Sequence, residues 1–102
     1  GGAIERAHEK NVNDFLANVY KAKIDSHTVS VVNVPYHYAS DCAHELLQRD
    51  KNAPFAAAWF RRGDGSVQWS LRSEDHRLDV SKIAAKYGGG GHRNASGFQV
   101  PA

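Results

Sequence analysis

The chain holds one cysteine, three prolines and no methionine in 102 residues. A lone thiol, Cys42, excludes an internal disulfide and leaves zinc only a mixed His/Cys donor set. Without disulfides, a reducing and cytoplasmic setting is the expectation. No apolar run reaches the roughly 18 residues that a membrane helix needs, so no membrane partner is expected. The opening Gly1-Gly2-Ala3 lacks the charged and apolar regions of a secretory signal and reads as a linker or an appended scar. Charge of one sign is not in excess either. Thirteen Lys and Arg against eleven Asp and Glu leave +2, interspersed along the chain without a basic tail, which disfavours binding to long duplex DNA. At this length one domain fits and little over ~60% of the unfolded surface is buried, so an open surface or a partner domain is expected in place of a deep active site.

What is present is ordinary globular patterning, with 41% apolar and 24% charged residues. From Ile4 to about Lys23, Ile4, Ala7, Val12, Phe15, Leu16, Val19 and Tyr20 fall on one stripe, which predicts an amphipathic connecting helix over 4–23 ahead of a domain over 24–102. Val29 to Val34 is β-branched and stopped by Pro35, as a buried strand would be. A helix is expected from about Asp41, capped by Ser40, with Cys42, Ala43, Leu46 and Leu47 inward and Asn52-Ala53-Pro54 as its stop. Val67, Trp69 and Leu71 alternate with Gln68, Ser70 and Arg72, predicting a half-buried strand. Phe55 to Arg61 is then its antiparallel partner across the Arg62-Gly63-Asp64-Gly65 turn. Asp79 can cap a helix carrying Val80, Ile83, Ala84 and Tyr87, and Phe98 to Val100 can form a last strand. The order α-β-α-β-β-α-β describes an α+β fold, helices packed on a small mixed sheet.

Gly88 to Gly91 exceed what a helix stop needs, since one glycine closes a helix. Successive glycine amides can point into one concavity and hold an anion, phosphate being the obvious candidate, with His92 and Arg93 immediately behind. The alternative is a plain flexible hinge. Neither a P-loop nor a dinucleotide fingerprint fits, because the run follows a helix and no Lys-Ser or Lys-Thr comes after it. The negative pole of that helix also opposes an anion.

The string Gly88-Gly89-Gly90-Gly91-His92-Arg93-Asn94-Ala95-Ser96-Gly97-Phe98 follows Ser70-Leu71-Arg72-Ser73 and Asp79-Val80-Ser81-Lys82-Ile83-Ala84. Together, over roughly residues 28 to 100, these segments resemble the DHH-associated C-terminal domain of the DHH phosphoesterases. That family includes RecJ-type exonucleases and oligoribonucleases that also act on adenosine bisphosphate or cyclic-dinucleotide products. The resemblance implies that a separate N-terminal DHH domain binds manganese and that this chain, with no cofactor of its own, grips a short single-stranded nucleic acid or small nucleotide. By the same resemblance Gly89, Gly90, Gly91 and His92 would contact the terminal phosphate or nucleotide, and Arg72 would pair with a phosphate. Arg93 and Asn94 would lie nearby. Arginine suits that task because its planar fork donates two parallel hydrogen bonds to an anion. Ser96 stands where the family often has alanine. The family's Asp-His-His signature is missing, since Asp75-His76 is followed by Arg77, so catalysis is not expected of this chain alone.

Other readings remain beside it. His37, Cys42 and His44 lie close in sequence but lack the paired spacing of a zinc site, and Cys42 fits a core position better than a nucleophile's. Arg62-Gly63-Asp64 is an adhesion-type tripeptide in residues a hairpin needs anyway. Trp59, Phe60 and Trp69 are candidate base-stacking residues, Trp69 on the inward phase; Tyr36 and Tyr38 beside Pro35 are better placed for an exposed contact. A scaffold that keeps the fold, lacks nucleotide binding and dimerises through the first helix is the competing function.

Overall fold

The structure, a computed structural model, describes residues 12–101. Six strands form one sheet in the order β1-β2-β3-β4-β6-β5: β1 Tyr20–Ile24, β2 His27–Asn33, β3 Ala56–Arg61, β4 Val67–Arg72, β5 Gly90–His92 and β6 Ala95–Val100. Only the β2–β3 pair is parallel. Its crossover carries a 3-10 turn, Tyr36–Tyr38, and α1, Ala39–Arg49; α2, Val80–Lys86, joins β4 to β5. The α+β class, the mixed sheet and the order of the expected elements are borne out, with two short strands added at the sheet edges.

The linker at residues 1–3 and the start of the expected connecting helix lie outside the described residues. Residues 12–16 are helical, and Val12 and Leu16 pack with α1. The expected run to Lys23 is corrected: the chain turns at residues 17–18 and Tyr20–Ile24 is a strand. Asp25 and Ser26, at φ +49° and +71°, make the left-handed two-residue turn that suits a hairpin, so β1 folds onto β2 with Ile24 opposite His27. Ser40 is corrected too. It lies within the first turn of α1, which starts at Ala39 with no side-chain cap. Asp79 does cap α2, its Oδ1 accepting from the Ser81 amide at 3.0 Å and the Ser81 hydroxyl at 2.5 Å. These bonds, the hydroxyl's first, hold its carboxyl below the ordinary carboxylate value.

Strand alternation splits the core in two. On one face Val32, Val34, Ala56 and Ala58 pack under α1; on the other Val29, Val31, Phe55, Ala57, Leu71 and Phe98 pack under α2. Each such side chain, once fully buried, contributes about 1.5–3 kcal/mol if valine-sized or larger. α1 covers β2, β3 and β4, whereas α2 covers β4, β5 and β6. The Arg-Gly-Asp tripeptide is the β3–β4 turn, closed by the Arg62 amide on Ser66 O at 2.7 Å, with Asp64 accepting from the Ser66 hydroxyl at 2.6 Å.

Cys42 is 0% exposed on the inward side of α1. Burial, aided by the Asp41 charge, pushes its thiol up to about 11 from 9.0. The folded chain therefore favours the protonated thiol. That contribution is intact below pH 9.0 and is lost as pH rises toward about 11. Iodoacetamide at pH 8 should label the unfolded chain and spare the native one, read by intact mass; rapid labelling of native protein would contradict this burial.

Candidate functional site

The glycine run divides by task. Gly88, at φ +84°, takes the left-handed position after α2 and its amide donates to Ala85 O at 3.2 Å; the Gly89 amide donates to Ala84 O at 2.8 Å. This is a Schellman closure, and it consumes two of the amides that the sequence offered to an anion. The four glycines therefore do not make a single concavity of donors. Gly90 and Gly91 begin the edge strand β5, where alternate amides face away from the sheet. Gly91, at φ +145°, lies where a Cβ would come 2.7 Å from Ala95 O, so a side chain is excluded.

The register assembles the rest. Residues directly opposed across antiparallel strands share a face. Ala56, Arg72, Ala95 and His92 form one such row across β3, β4, β6 and β5, and Ala58, Ser70, Gly97 and Gly90 form the next. Both rows lie on the α1 face, since Ala56 and Ala58 pack beneath α1. Arg72 and His92 thus flank Ala95, their backbones two strand spacings or about 10 Å apart. Beside Arg72 and Ser40 opens a groove of about 250 Å³ lined by Ser70, Arg72, Gly90, Ala95, Ser96 and Gly97; His92 ends the same cross-strand row but does not line the groove. Its floor is low because its residues are small, and a Cβ on Gly90 would meet nothing within 4 Å. The Arg72 guanidinium donates from Nη1 to Ser40 Oγ, which ties it to the start of α1. His92 is exposed.

Arg93 and Asn94 turn away from this groove into the loop before α2. Arg93 Nη2 donates to Asp75 O at 2.9 Å and Arg77 O at 3.2 Å, and Asn94 Nδ2 donates to Asp75 Oδ1 at 2.7 Å. Their side chains fix the β5–β6 turn and so hold His92 in place. Ser96 Oγ donates to His92 O at 2.5 Å, a bond that alanine at this position would lack. Ser40 reads from the sequence as a helix cap and Ser70 and Gly97 as motif residues, and none of them counts among the sequence-predicted site residues. The alternation that places Arg72 on the polar phase of β4 places Ser70 and Gln68 there too, and that signal marks them.

The candidate stacking residues separate. Trp59 and Trp69 lie on the α2 face, 6.1 Å apart between ring centres, with Phe98 next in line. Phe60 is on the groove face. Tyr38 is half-buried against Phe15, and Tyr36 is 69% exposed. Among the described residues no three His, Cys, Asp or Glu side chains gather as a metal site would require, so the chain's described residues do not fit manganese or zinc. No helix among them is long and apolar enough to cross a membrane.

The fold is shared with several solved structures. The pGpG-specific phosphodiesterase PggH of Vibrio cholerae superposes with TM-score 0.65 at 12% identity, over 94% of this chain and 34% of that one. The C-Ala domain of alanyl-tRNA synthetase from Aquifex aeolicus superposes with TM-score 0.56 at 18% identity, over 80% of this chain and 85% of that one. Residues 26–102 match the DHHA1 domain, and the chain belongs to that family. Oligoribonuclease NrnB of Bacillus subtilis is 34% identical over 77 residues, 76% of this chain and 18% of its own length. An uncharacterized protein of Acanthamoeba polyphaga mimivirus is 43% identical over 62 residues, 60% of this chain and 15% of its own length. The chain thus spans less than a fifth of either curated relative.

Proposed function

We propose that this domain is the substrate-holding part of a DHH phosphoesterase, binding the phosphate and terminal nucleotide of a short single-stranded RNA or DNA or of a small nucleotide. The observation that carries the reading is the cross-strand row in which Arg72 and His92 stand either side of Ala95, over the bare floor of Gly90 and Gly97. Arg72 supplies a permanent cation, already oriented by Ser40, and the outward amides of β5 supply uncharged donors. Gly91 and His92, next along β5 outside the groove's own lining, would reach the part of the ligand that projects from it. Gly89, Arg93 and Asn94 shape the bend without spending their own groups on the ligand. By fixing one end of the substrate, the groove would hold the next phosphate at a constant distance for a neighbouring domain to attack. Manganese in a separate N-terminal DHH domain would supply the activated water, and the whole enzyme would work in the cytoplasm as an exonuclease or oligoribonuclease.

Titrating adenosine 5′-monophosphate to millimolar concentration should move the amide resonances of Gly90, Gly91 and His92. Arg72→Ala should weaken binding by about tenfold or more, the worth of a charge-assisted hydrogen bond at about 1.5–3 kcal/mol. Gly90→Val should fill the floor, weaken binding likewise and leave the melting temperature within a few degrees of wild type. Silence from Gly89 to His92 would refute the reading.

The competing scaffold reading draws on one observation. Tyr20, Tyr87 and Val100 are at least 40% exposed on the α2 face, away from the groove. A tight dimer by light scattering, together with no nucleotide effect on melting, would favour it.

A further inference from the structure

β5 is too weak a strand to hold its own position. It is three residues long, two of them glycine, and all three are exposed at the sheet edge. Its turn adds no support. Arg93 and Asn94 join β5 to β6 as a two-residue hairpin loop, and such loops favour positive φ because only that twist matches the flanking strands. Asp25 and Ser26 meet the condition in the β1–β2 turn, and they are the only non-glycine residues among the described ones that do. Arg93 and Asn94 therefore have negative φ, which splays the strands they join.

Side chains close what this turn would open. Ser96 Oγ donates to His92 O at 2.5 Å, across the mouth of the hairpin. From the other side the residues that follow Arg72 reach over the loop: the Ser73 amide donates to Asn94 O at 2.9 Å and the Ser73 hydroxyl to Arg93 O at 3.2 Å. Asp75 accepts twice, at Oδ1 from Asn94 Nδ2 at 2.7 Å and at its carbonyl from Arg93 Nη2 at 2.9 Å. One stretch of chain thus supplies the Arg72 cation and sets how far the β5 amides stand from it.

We infer that Asp75 and Ser96 are positioning residues for the ligand, acting through β5: together they clasp the glycine edge strand in the conformation whose amides meet an anion. Asp75 lies on the loop after β4, outside the groove's lining, and the Ser96 hydroxyl is committed to His92 O. This rests on the function proposed above, and two readouts on the 102-residue chain separate the two. Amide hydrogen exchange of the free protein reads the clasp. Asp75→Ala and Ser96→Ala should each speed exchange of the paired β5–β6 amides roughly 3- to 10-fold, the worth of one net hydrogen bond, and the double variant should multiply the two effects. Adenosine 5′-monophosphate titration reads positioning. Affinity falls with the fraction of molecules in which β5 is closed, so the double variant should bind at least threefold more weakly while melting within a few degrees of wild type. Asp75→Asn keeps an oxygen acceptor for Asn94 and should restore both readouts. Unchanged exchange overturns the clasp, and faster exchange with unchanged affinity overturns the positioning role. If the wild-type chain binds no adenosine 5′-monophosphate, the function proposed above fails, and exchange alone then upholds or overturns the clasp.

Discussion

Alanine at Gly89 is expected to destabilise the domain by about 3 kcal/mol, the upper end of overpacking penalties. In a chain of this size that lowers Tm by roughly 12–24 °C. A Cβ on Gly89 would lie 2.0 Å from Gly97 O and 2.7 Å from Phe98 Cβ. Neither atom can rotate away, because both are fixed by the backbone of β6. The strand must therefore retreat from the end of α2, which strains the Gly89–Ala84 hydrogen bond and the stack of Tyr87 on Phe98, 4.8 Å between ring centres. Gly90→Ala is the matched control, one residue on and facing open space, and should stay within about 0.5 kcal/mol of wild type. Thermal and urea unfolding of the pair read the difference. If Gly89→Ala melts with the wild type, the close approach of the glycine bend to β6 is wrong.

Arg77→Ala should cost about as much for a different reason, roughly 3 kcal/mol, since it strips partners from several buried groups at once. The Arg77 side chain is only 3% exposed. Its Nη1 donates to Asp50 O at 2.9 Å and Ala53 O at 3.0 Å, its Nη2 to Leu47 O at 3.0 Å, and Nη2 also pairs with Glu74 at 2.8 Å. These carbonyls belong to the end of α1 and the turn after it, where helix carbonyls lack partners of their own. Lysine cannot reproduce the fork, so Arg77→Lys should recover less than half of the loss. Glu74→Ala, which removes only the half-exposed partner, should cost no more than about 1 kcal/mol. Equal urea midpoints for Arg77→Ala and Glu74→Ala would disprove the capping role. Arg77, which follows Asp75-His76, is thus a structural residue of this domain.

Both residues bear on how much a reader of the sequence can see. α1, α2 and β4 announce themselves through strong periodicity, and Asp79 is legible as a cap because its chemistry is local. β1 is hidden: Tyr20, Ala22 and Ile24 alternate with Lys21 and Lys23, but Val19 and Tyr20 also continue the preceding helical stripe. Asp25-Ser26 is the signal that resolves the ambiguity, as a two-residue turn ahead of a β-branched run. β5 carries no strand signal at all, because Gly90 and Gly91 have no side chains and their pairing is imposed by the turn at Arg93-Asn94 and by β6. The site follows the same division. Arg72 and His92 are recognisable as residue types, whereas their meeting across Ala95 depends on a pairing register between strands 20 residues apart. Arg93 and Asn94 show the limit from the other side, since adjacency to His92 in sequence sends their side chains to a different loop.

The Schellman closure has one mechanical consequence. The same backbone that ends α2 starts the strand flooring the groove, so the helix cannot unwind its last turn without dragging Gly90 out of register. Fraying on one side of the sheet and loss of the pocket on the other are a single event. An occupant of the groove would therefore stiffen a helix it never touches, and a loosened α2 would release whatever the opposite face was holding.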